Sequence, residues 1–179
     1  MKRIAITTLC AAAVVLQAAG KGPEEQDKPV SYGNILSTDV SGSDLVFFTD
    51  SARRIALIVN LSALAKNRAI TPEVQALAAQ VWKEQTDLAE KLKDLAARNG
   101  VPLPKEPDAD GRSLLQTLAR LKGPRFDKTY LDALSDVQDR VEASLDAGAD
   151  SDDKEIKTLA KQALATLKKE AQAVERLGL

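Results

Sequence analysis

The sequence predicts an all-α protein built as a four-helix bundle, with an extra short helix between the second and third long helices. From residue 43 onward, apolar residues recur at spacings of three and four, which is the period of a helix that buries one face. No strand-like alternation and no hairpin dipeptide interrupts this pattern. Breaks that contain Pro or Gly separate the periodic segments. Four amphipathic helices bury their apolar faces by packing against one another, so we expect a bundle.

The first two long helices are expected to be antiparallel neighbours because a tight connection joins them. The first runs from Ser43 to about Asn67. The second opens at Thr71-Pro72-Glu73, where Thr is expected to act as the N-cap and Pro fits the first turn. It is expected to stop at Asn99-Gly100, because Gly can take the left-handed conformation that ends a helix.

A short helix, from about Arg112 to Leu121, follows a polar connection. Its buried side is expected to hold Leu114, Leu115, Leu118 and Leu121. Gly123-Pro124 then starts the third long helix, which is expected to fray by Gly148. Asp152 and Glu155 resemble a capping box at the start of the last helix.

The N-terminus has the form of a secretory signal peptide. Lys2 and Arg3 precede an apolar run from residue 4 to 19 that ends in small residues. A retained membrane anchor is the alternative, but the run is shorter than the roughly 20 apolar residues of a spanning helix. We therefore expect a signal peptide at 1–20, a flexible linker at 21–42 and a helical domain at 43–179, with the mature protein in the periplasm or secreted. No stable transmembrane segment is expected after cleavage.

Composition narrows the possible functions of the domain. The 179 residues have a formal net charge of −1 with interspersed charges, so they lack the basic patch of a nucleic-acid-binding protein. Histidine is absent, which removes the commonest general base and transition-metal ligand. Cys10, the one cysteine, lies within the signal, so no disulfide is expected in the mature protein. With no recognisable nucleophile–base pair, we expect no enzyme activity, no cofactor and no bound metal.

Three polar residues interrupt the apolar stripes of the second, third and fourth long helices: Gln85, Gln138 and Glu170. Each lies well inside its helix, so the three can meet in one layer, with Glu84 as a fourth candidate member. A buried carboxylate needs hydrogen-bond donors. The candidates are the Gln85 and Gln138 amides, the Tyr130 hydroxyl and the Arg53 and Arg54 side chains.

Three interpretations of these polar positions are open. They can lie at a wetter edge of the bundle, where Gln and Glu are ordinary helix formers. They can form a buried polar layer that fixes the register of the helices. They can also be a working site, although Glu84 and Glu170 alone make a poor set of ligands for a transition metal.

Four segments resemble a known family: Ala79-Gln-Val-Trp-Lys-Glu-Gln-Thr86, Leu95-Ala-Ala-Arg-Asn-Gly-Val-Pro-Leu-Pro104, Phe126-Asp-x-x-Tyr130 and Leu164-Ala-Thr-Leu-Lys168. Their order and spacing resemble the domain-of-unknown-function family 4142, which consists of exported bacterial four-helix proteins. The resemblance runs from about Asp44 to Leu177 and implies a ferritin-like bundle. Within the third segment, Phe126, Asp127 and Tyr130 are expected to anchor the start of the helix and its packing.

The sequence departs from that family at its polar positions. The resemblance implies histidines at Gln85, Gln138 and Glu170, and a glutamate at Ile58. Whatever a histidine cluster does in relatives, its ligand set is missing here.

Two functional hypotheses follow from these observations. The first is a non-catalytic exported protein of the bacterial envelope, which acts through an unknown envelope partner or through self-association. The alternative is a ferritin-like protein that binds a metal or small molecule at the polar layer.

Overall fold

The computed structural model describes residues 40–177, and these residues form five helices with no strand among them. In chain order they are α1 (Gly42–Arg68), α2 (Pro72–Arg98), α3 (Ala109–Arg120), α4 (Pro124–Ala149) and α5 (Lys154–Arg176). The predicted all-α bundle, with a short helix between the second and third long helices, is confirmed. The predicted signal peptide and all but the last residues of the linker lie outside the described residues.

The four long helices form a closed ring of neighbours. α1 packs against α2 and α4, and α5 packs against α2 and α4. α3 contacts α1 and α4. The core is mainly aliphatic, with Phe47, Phe48 and Phe126 fully buried within it. None of the described helices is long and apolar enough to cross a membrane.

The ends of the helices follow local stereochemistry. The Ser41 hydroxyl accepts a hydrogen bond from the Asp44 backbone N–H at 3.1 Å and caps α1. α2 ends where Gly100 takes a φ of 68° and the Val101 N–H donates to the Ala96 carbonyl at 2.9 Å. Gly123, with a φ of 63°, lets the chain turn sharply into Pro124 at the start of α4.

Two predicted caps were wrong in detail. Thr71 occupies the N-cap position of α2, but its side chain makes no capping hydrogen bond. Asp153, rather than Asp152, caps α5, and its carboxylate accepts from the N–H groups of Glu155 and Ile156 at 2.7 and 3.0 Å. The Asp152–Glu155 capping box is therefore absent, because the helix begins one residue later than the pattern indicated.

The short helix also differs from its prediction. It begins at Ala109, because the Asp108 carboxylate accepts a hydrogen bond from the Gly111 N–H at 2.8 Å. Of its four predicted core leucines only Leu118 is buried, and the other three are half-buried against the bundle. α3 packs against α1 and α4 less extensively than the long helices pack against one another, which accounts for this difference.

Arg68, the last residue of α1, ties the far end of α3 to the bundle. Its guanidinium donates to the carbonyls of Ala119 and Leu121 at 2.6 and 3.0 Å. These carbonyls lie at the C-terminal end of α3, where backbone carbonyl groups have no hydrogen-bond donor within the helix. The same guanidinium lies 5.4 Å from the centre of the Phe126 ring.

Candidate functional site

The structure brings Gln85, Gln138 and Glu170 together in the interior of the bundle. The Gln85 amide donates to both carboxylate oxygens of Glu170, at 3.1 and 2.9 Å. The Gln138 amide donates to Glu170 Oε2 at 2.9 Å. The three side chains are only 1–2 % exposed, so they form a buried layer that joins α2, α4 and α5. We call these three residues the polar layer.

Helix periodicity places the polar layer in the core. Gln85 and Gln138 each follow a fully or nearly fully buried apolar residue by four positions, and Glu170 precedes one by four. Residues four apart lie on the same face of a helix. The polar groups therefore cannot turn toward water without turning their whole apolar stripe outward.

Burial raises the pKa of the Glu170 carboxyl to about 8, since a charge inside the bundle loses the hydration it has in water. The donated hydrogen bonds from Gln85 and Gln138 act in the opposite direction, because they favour the ionised form. The neighbouring Glu84 carboxyl raises the pKa further, both by a hydrogen bond and by its negative charge. The result is a buried acid with a large protonated fraction at neutral pH.

Glu84 stands at the solvent edge of the polar layer. It is half-buried on α2, and its Oε1 accepts a hydrogen bond from the Gln80 side chain at 3.0 Å. Its negative charge contributes to the raised pKa of the Glu170 carboxyl. The predicted fourth member of the candidate set is therefore adjacent to the polar layer, with one side toward water.

A second buried polar contact lies beside the polar layer. The Tyr130 hydroxyl and the Ser62 hydroxyl are 3.1 Å apart, and both residues are fully buried. Burial raises the pKa of the Tyr130 hydroxyl above its usual value, with a further contribution from the charge of Glu170. Tyr130 therefore stays protonated and links α4 to α1 as a hydrogen-bonding residue.

The amide oxygens of the polar layer have no partner. Gln85 Oε1 and Gln138 Oε1 are buried and make no hydrogen bond. Such groups are uncommon in folded proteins and carry a desolvation cost. Within the polar layer, these two amide oxygens are the atoms that lack a hydrogen-bond donor.

The sequence segment Phe126-Asp-x-x-Tyr130 has a structural role in the fold. Phe126 and Tyr130 are fully buried. The Asp127 carboxylate accepts hydrogen bonds from the N–H groups of Ile70 and Thr71, at 3.0 and 2.9 Å. Asp127 therefore holds the α1–α2 turn against the start of α4, a role that sequence periodicity did not reveal.

The other positions give no further polar contact to this layer. Ile58 is fully buried in the apolar core. Arg53 and Arg54, considered as donors to Glu170, instead line a small cavity of about 120 Å³ beside α3. Among the described residues, no group of three or more His, Cys, Asp or Glu side chains could hold a metal ion. Larger clefts of about 440, 520 and 560 Å³ are lined by residues outside the polar layer.

The fold and its polar layer define an all-α helical bundle of ferritin-like type. The chain belongs to the family described as Domain of unknown function (DUF4142), whose profile matches residues 36–177. This confirms the family resemblance seen in the sequence segments. The replacement of that family's histidines in this chain stays a prediction.

Among solved structures, the bundle is similar to the crystal structure of a DUF305 fragment from Deinococcus radiodurans. The TM-score is 0.68, the sequence identity is 19 %, and the alignment covers 76 % of this chain and 95 % of that one. At this identity the likeness concerns the fold alone. No functionally curated protein matches the sequence.

Proposed function

We propose that the protein is a non-catalytic, exported helical-bundle protein of the bacterial cell envelope, and that its polar layer stabilises one register of the bundle. The structural role is supported by the three hydrogen bonds that Glu170 accepts from Gln85 and Gln138. These bonds join three helices inside a core from which water is excluded. A slip of any helix along its axis would leave a buried polar group without its partner, which is costly.

The proposed export rests on the N-terminal sequence. Lys2 and Arg3, followed by a short apolar run, have the composition of a cleavable signal. The absence of histidine from the sequence supports a non-catalytic role, because general acid–base chemistry most often uses that residue.

Cell fractionation tests the export. The full chain with a C-terminal tag should be recovered in the periplasm or medium, and N-terminal sequencing should place the start of the mature protein near residue 20 or 21. A matched variant with Lys2 and Arg3 both replaced by Glu should accumulate unprocessed in the cytoplasm. Recovery of the uncleaved chain in the membrane fraction would instead identify a retained anchor and contradict this part of the proposal.

A second candidate function, binding of a metal or small molecule at the polar layer, is favoured by one observation. Gln85 Oε1 and Gln138 Oε1 are buried without donors, and both amide groups donate to the Glu170 carboxyl. Carboxylate and amide oxygens are ligands for hard cations such as Mg²⁺, Mn²⁺ and Ca²⁺.

Metal analysis separates the two candidates. The protein is purified without chelator, and its metal content is measured beside that of Glu170→Ala. The structural role predicts substoichiometric metal in both samples. Stoichiometric iron, manganese or zinc that is lost in Glu170→Ala would favour the binding function and contradict the first proposal.

A further inference from the structure

A cavity of about 520 Å³ at one end of the bundle collects carboxyl and hydroxyl groups from distant parts of the chain. The start of α1 contributes Ser41, Ser43 and Asp44 to its walls. The connection between α4 and α5 contributes residues 150–153, which are Asp-Ser-Asp-Asp. Asn99, at the end of α2, also lines it. We call this space the end cavity.

The end cavity carries an excess of negative charge. The described residues that line it include four aspartates and neither lysine nor arginine. α2 and α4 both end here, and the C-terminal end of a helix carries a partial negative charge. α4 has no basic residue in its last turn, whereas each of the other four described helices has at least one. The negative charge at this end of α4 is therefore not compensated by the helix itself.

Helix capping accounts for only part of this acidic cluster. One carboxylate oxygen of Asp153 accepts from two N–H groups at the start of α5, at 2.7 and 3.0 Å. Asp150 and Asp152 accept no side-chain hydrogen bond from the described residues, and Asp150 stands at the C-terminal end of α4, where a negative charge is unfavourable. A capping role therefore does not explain these two carboxylates.

Asp44 has a buried oxygen atom that lacks a partner. The residue is only 8 % exposed and lines the end cavity. Its Oδ2 atom accepts a hydrogen bond from the Ser41 hydroxyl at 2.7 Å. Its Oδ1 atom is buried and makes no hydrogen bond. A buried carboxylate oxygen without a donor is costly, so a cation in the cavity would supply the interaction that this atom lacks.

The mixture of oxygen atoms around the end cavity fits Ca²⁺ better than a transition metal. Among the described residues no three carboxylates can meet at one ion, so at most two contribute. Further oxygens are available from the Ser41 and Ser43 hydroxyls, which lie 2.9 Å apart, and from the last carbonyls of α4, which have no donor within the helix. Ca²⁺ accepts about six to eight such oxygens, water included, in a flexible geometry, whereas Mg²⁺ requires a nearly ideal octahedron.

We propose that the end cavity binds a Ca²⁺ ion, with Asp44 as the buried ligand and a carboxylate of Asp150 or Asp152 as the second. The ion joins the start of α1 to the connection between α4 and α5 and so stabilises this end of the bundle. Ile156 on the cavity wall and Glu170 are 14 residues apart on α5, a separation of about 21 Å along the helix. The inference therefore goes beyond the role of the polar layer and does not depend on it.

Isothermal titration calorimetry of the purified protein with CaCl₂ tests the site. The wild type should bind Ca²⁺ with a Kd of about 10⁻⁴–10⁻³ M, the range of extracellular calcium modules. In thermal unfolding, about 10 mM CaCl₂ should raise the Tm by about 4–8 °C relative to protein in EDTA. NaCl at the same ionic strength controls for charge screening. The proposal is overturned if NaCl produces an equal rise, or if the wild type shows no saturable Ca²⁺ binding.

Two variants locate the ion. Asp44→Asn, and the double variant Asp150→Asn with Asp152→Asn, should each weaken Ca²⁺ binding by about 10-fold or more, because the charge of the ligands sets the affinity. The matched control is Asp87→Asn with Asp139→Asn, which removes the same charge from exposed positions outside the end cavity. Asp150 and Asp152 are also exposed, so their double variant is informative even where Asp44→Asn fails to fold. Equal affinities in the two double variants would contradict the site.

Glu170→Gln distinguishes the end cavity from the polar layer. This variant should bind Ca²⁺ as tightly as the wild type, because its side chain lies far from the cavity. Loss of Ca²⁺ binding in Glu170→Gln together with its retention in Asp44→Asn would assign the ion to the polar layer and overturn the proposal. Failure of the end-cavity site in all of these measurements would leave the hydrogen-bonded role of the polar layer unaffected.

Discussion

The Asp127 carboxylate accepts a hydrogen bond from the Thr71 backbone N–H at 2.9 Å, across 56 residues of sequence. Its other oxygen accepts from the Ile70 N–H at 3.0 Å. One buried side chain at the start of α4 therefore satisfies two donors in the turn between α1 and α2. The Thr71 N–H is one of the donors that the start of a helix leaves without a partner inside the helix, and the Thr71 side chain does not cap α2.

Replacing Asp127 with Ala should destabilise the protein by about 3–6 kcal/mol, because it removes two hydrogen bonds and each bond to a charged acceptor contributes about 1.5–3 kcal/mol. Asp127→Asn keeps one acceptor oxygen and should cost less than the alanine substitution. The free energy of unfolding in urea measures both effects. Asp132→Ala, on the same helix, removes only an exposed pair with Lys128 and should change stability by less than about 1 kcal/mol. Equal effects at the two positions would contradict the role of Asp127.

Glu170→Ala should cost about 3–5 kcal/mol, because it leaves a cavity and removes the acceptor of both glutamine amides. Glu170→Gln should be much milder at pH 7, since an amide resembles the protonated acid in shape and charge. Chemical unfolding of the two variants provides the comparison. A near-zero effect of Glu170→Ala would show that the side chain is not buried in the polar layer.

Stability should fall as pH rises from about 5 to 8. The Glu170 pKa is raised from 4.5 to about 8, so between these values the folded protein holds a proton that the unfolded chain has released. The contribution of this proton is complete below pH 4.5 and is lost as pH rises through 8, with a total on the order of a few kcal/mol. Subtracting the pH profile of Glu170→Gln removes the other titrating groups. A flat difference between the two profiles would contradict the raised pKa.

Gly148→Ala should destabilise the protein by about 1–3 kcal/mol, although alanine is the better helix former. A Cβ atom at this position would collide with the Phe47 ring, which is fully buried. Thermal unfolding measures the effect. Gly42→Ala is the control, because a Cβ at Gly42 meets nothing within 4 Å and should leave stability nearly unchanged. If Gly148→Ala instead stabilises the protein, the α1–α4 interface can accommodate an added methyl group and the predicted collision is wrong.

Periodicity predicted the fold well because every long helix has one apolar face. The same reasoning singled out Gln85, Gln138 and Glu170, since a polar residue on such a face must either meet a partner or disrupt the core. The structure places the Gln85 and Gln138 amides within hydrogen-bonding distance of Glu170. These contacts can be predicted although the residues lie far apart in sequence, because the apolar stripe of each helix identifies the polar residue that faces the core.

The features that sequence reasoning missed depend on geometry that no local pattern encodes. Asp127 bonds to a turn more than 50 residues away, and nothing near it in sequence indicates that turn. Asp152 and Asp153 are chemically equivalent candidates for a cap, and a shift of one residue decides between them. The hydrogen bond of Glu84 with Gln80 depends on side-chain direction at the edge of a stripe, which periodicity resolves poorly.

The contact of Asp127 with the α1–α2 turn has a consequence for hydrogen exchange. Ile70 has an exposed side chain, 56 % accessible, in a surface turn where amide protons ordinarily exchange with solvent quickly. Here its amide proton and that of Thr71 are held by a buried carboxylate on another helix. We expect both to exchange slowly, at a rate set by the detachment of α4 from the turn. These two amides therefore report on separation of the helices, although they lie outside any helix interior.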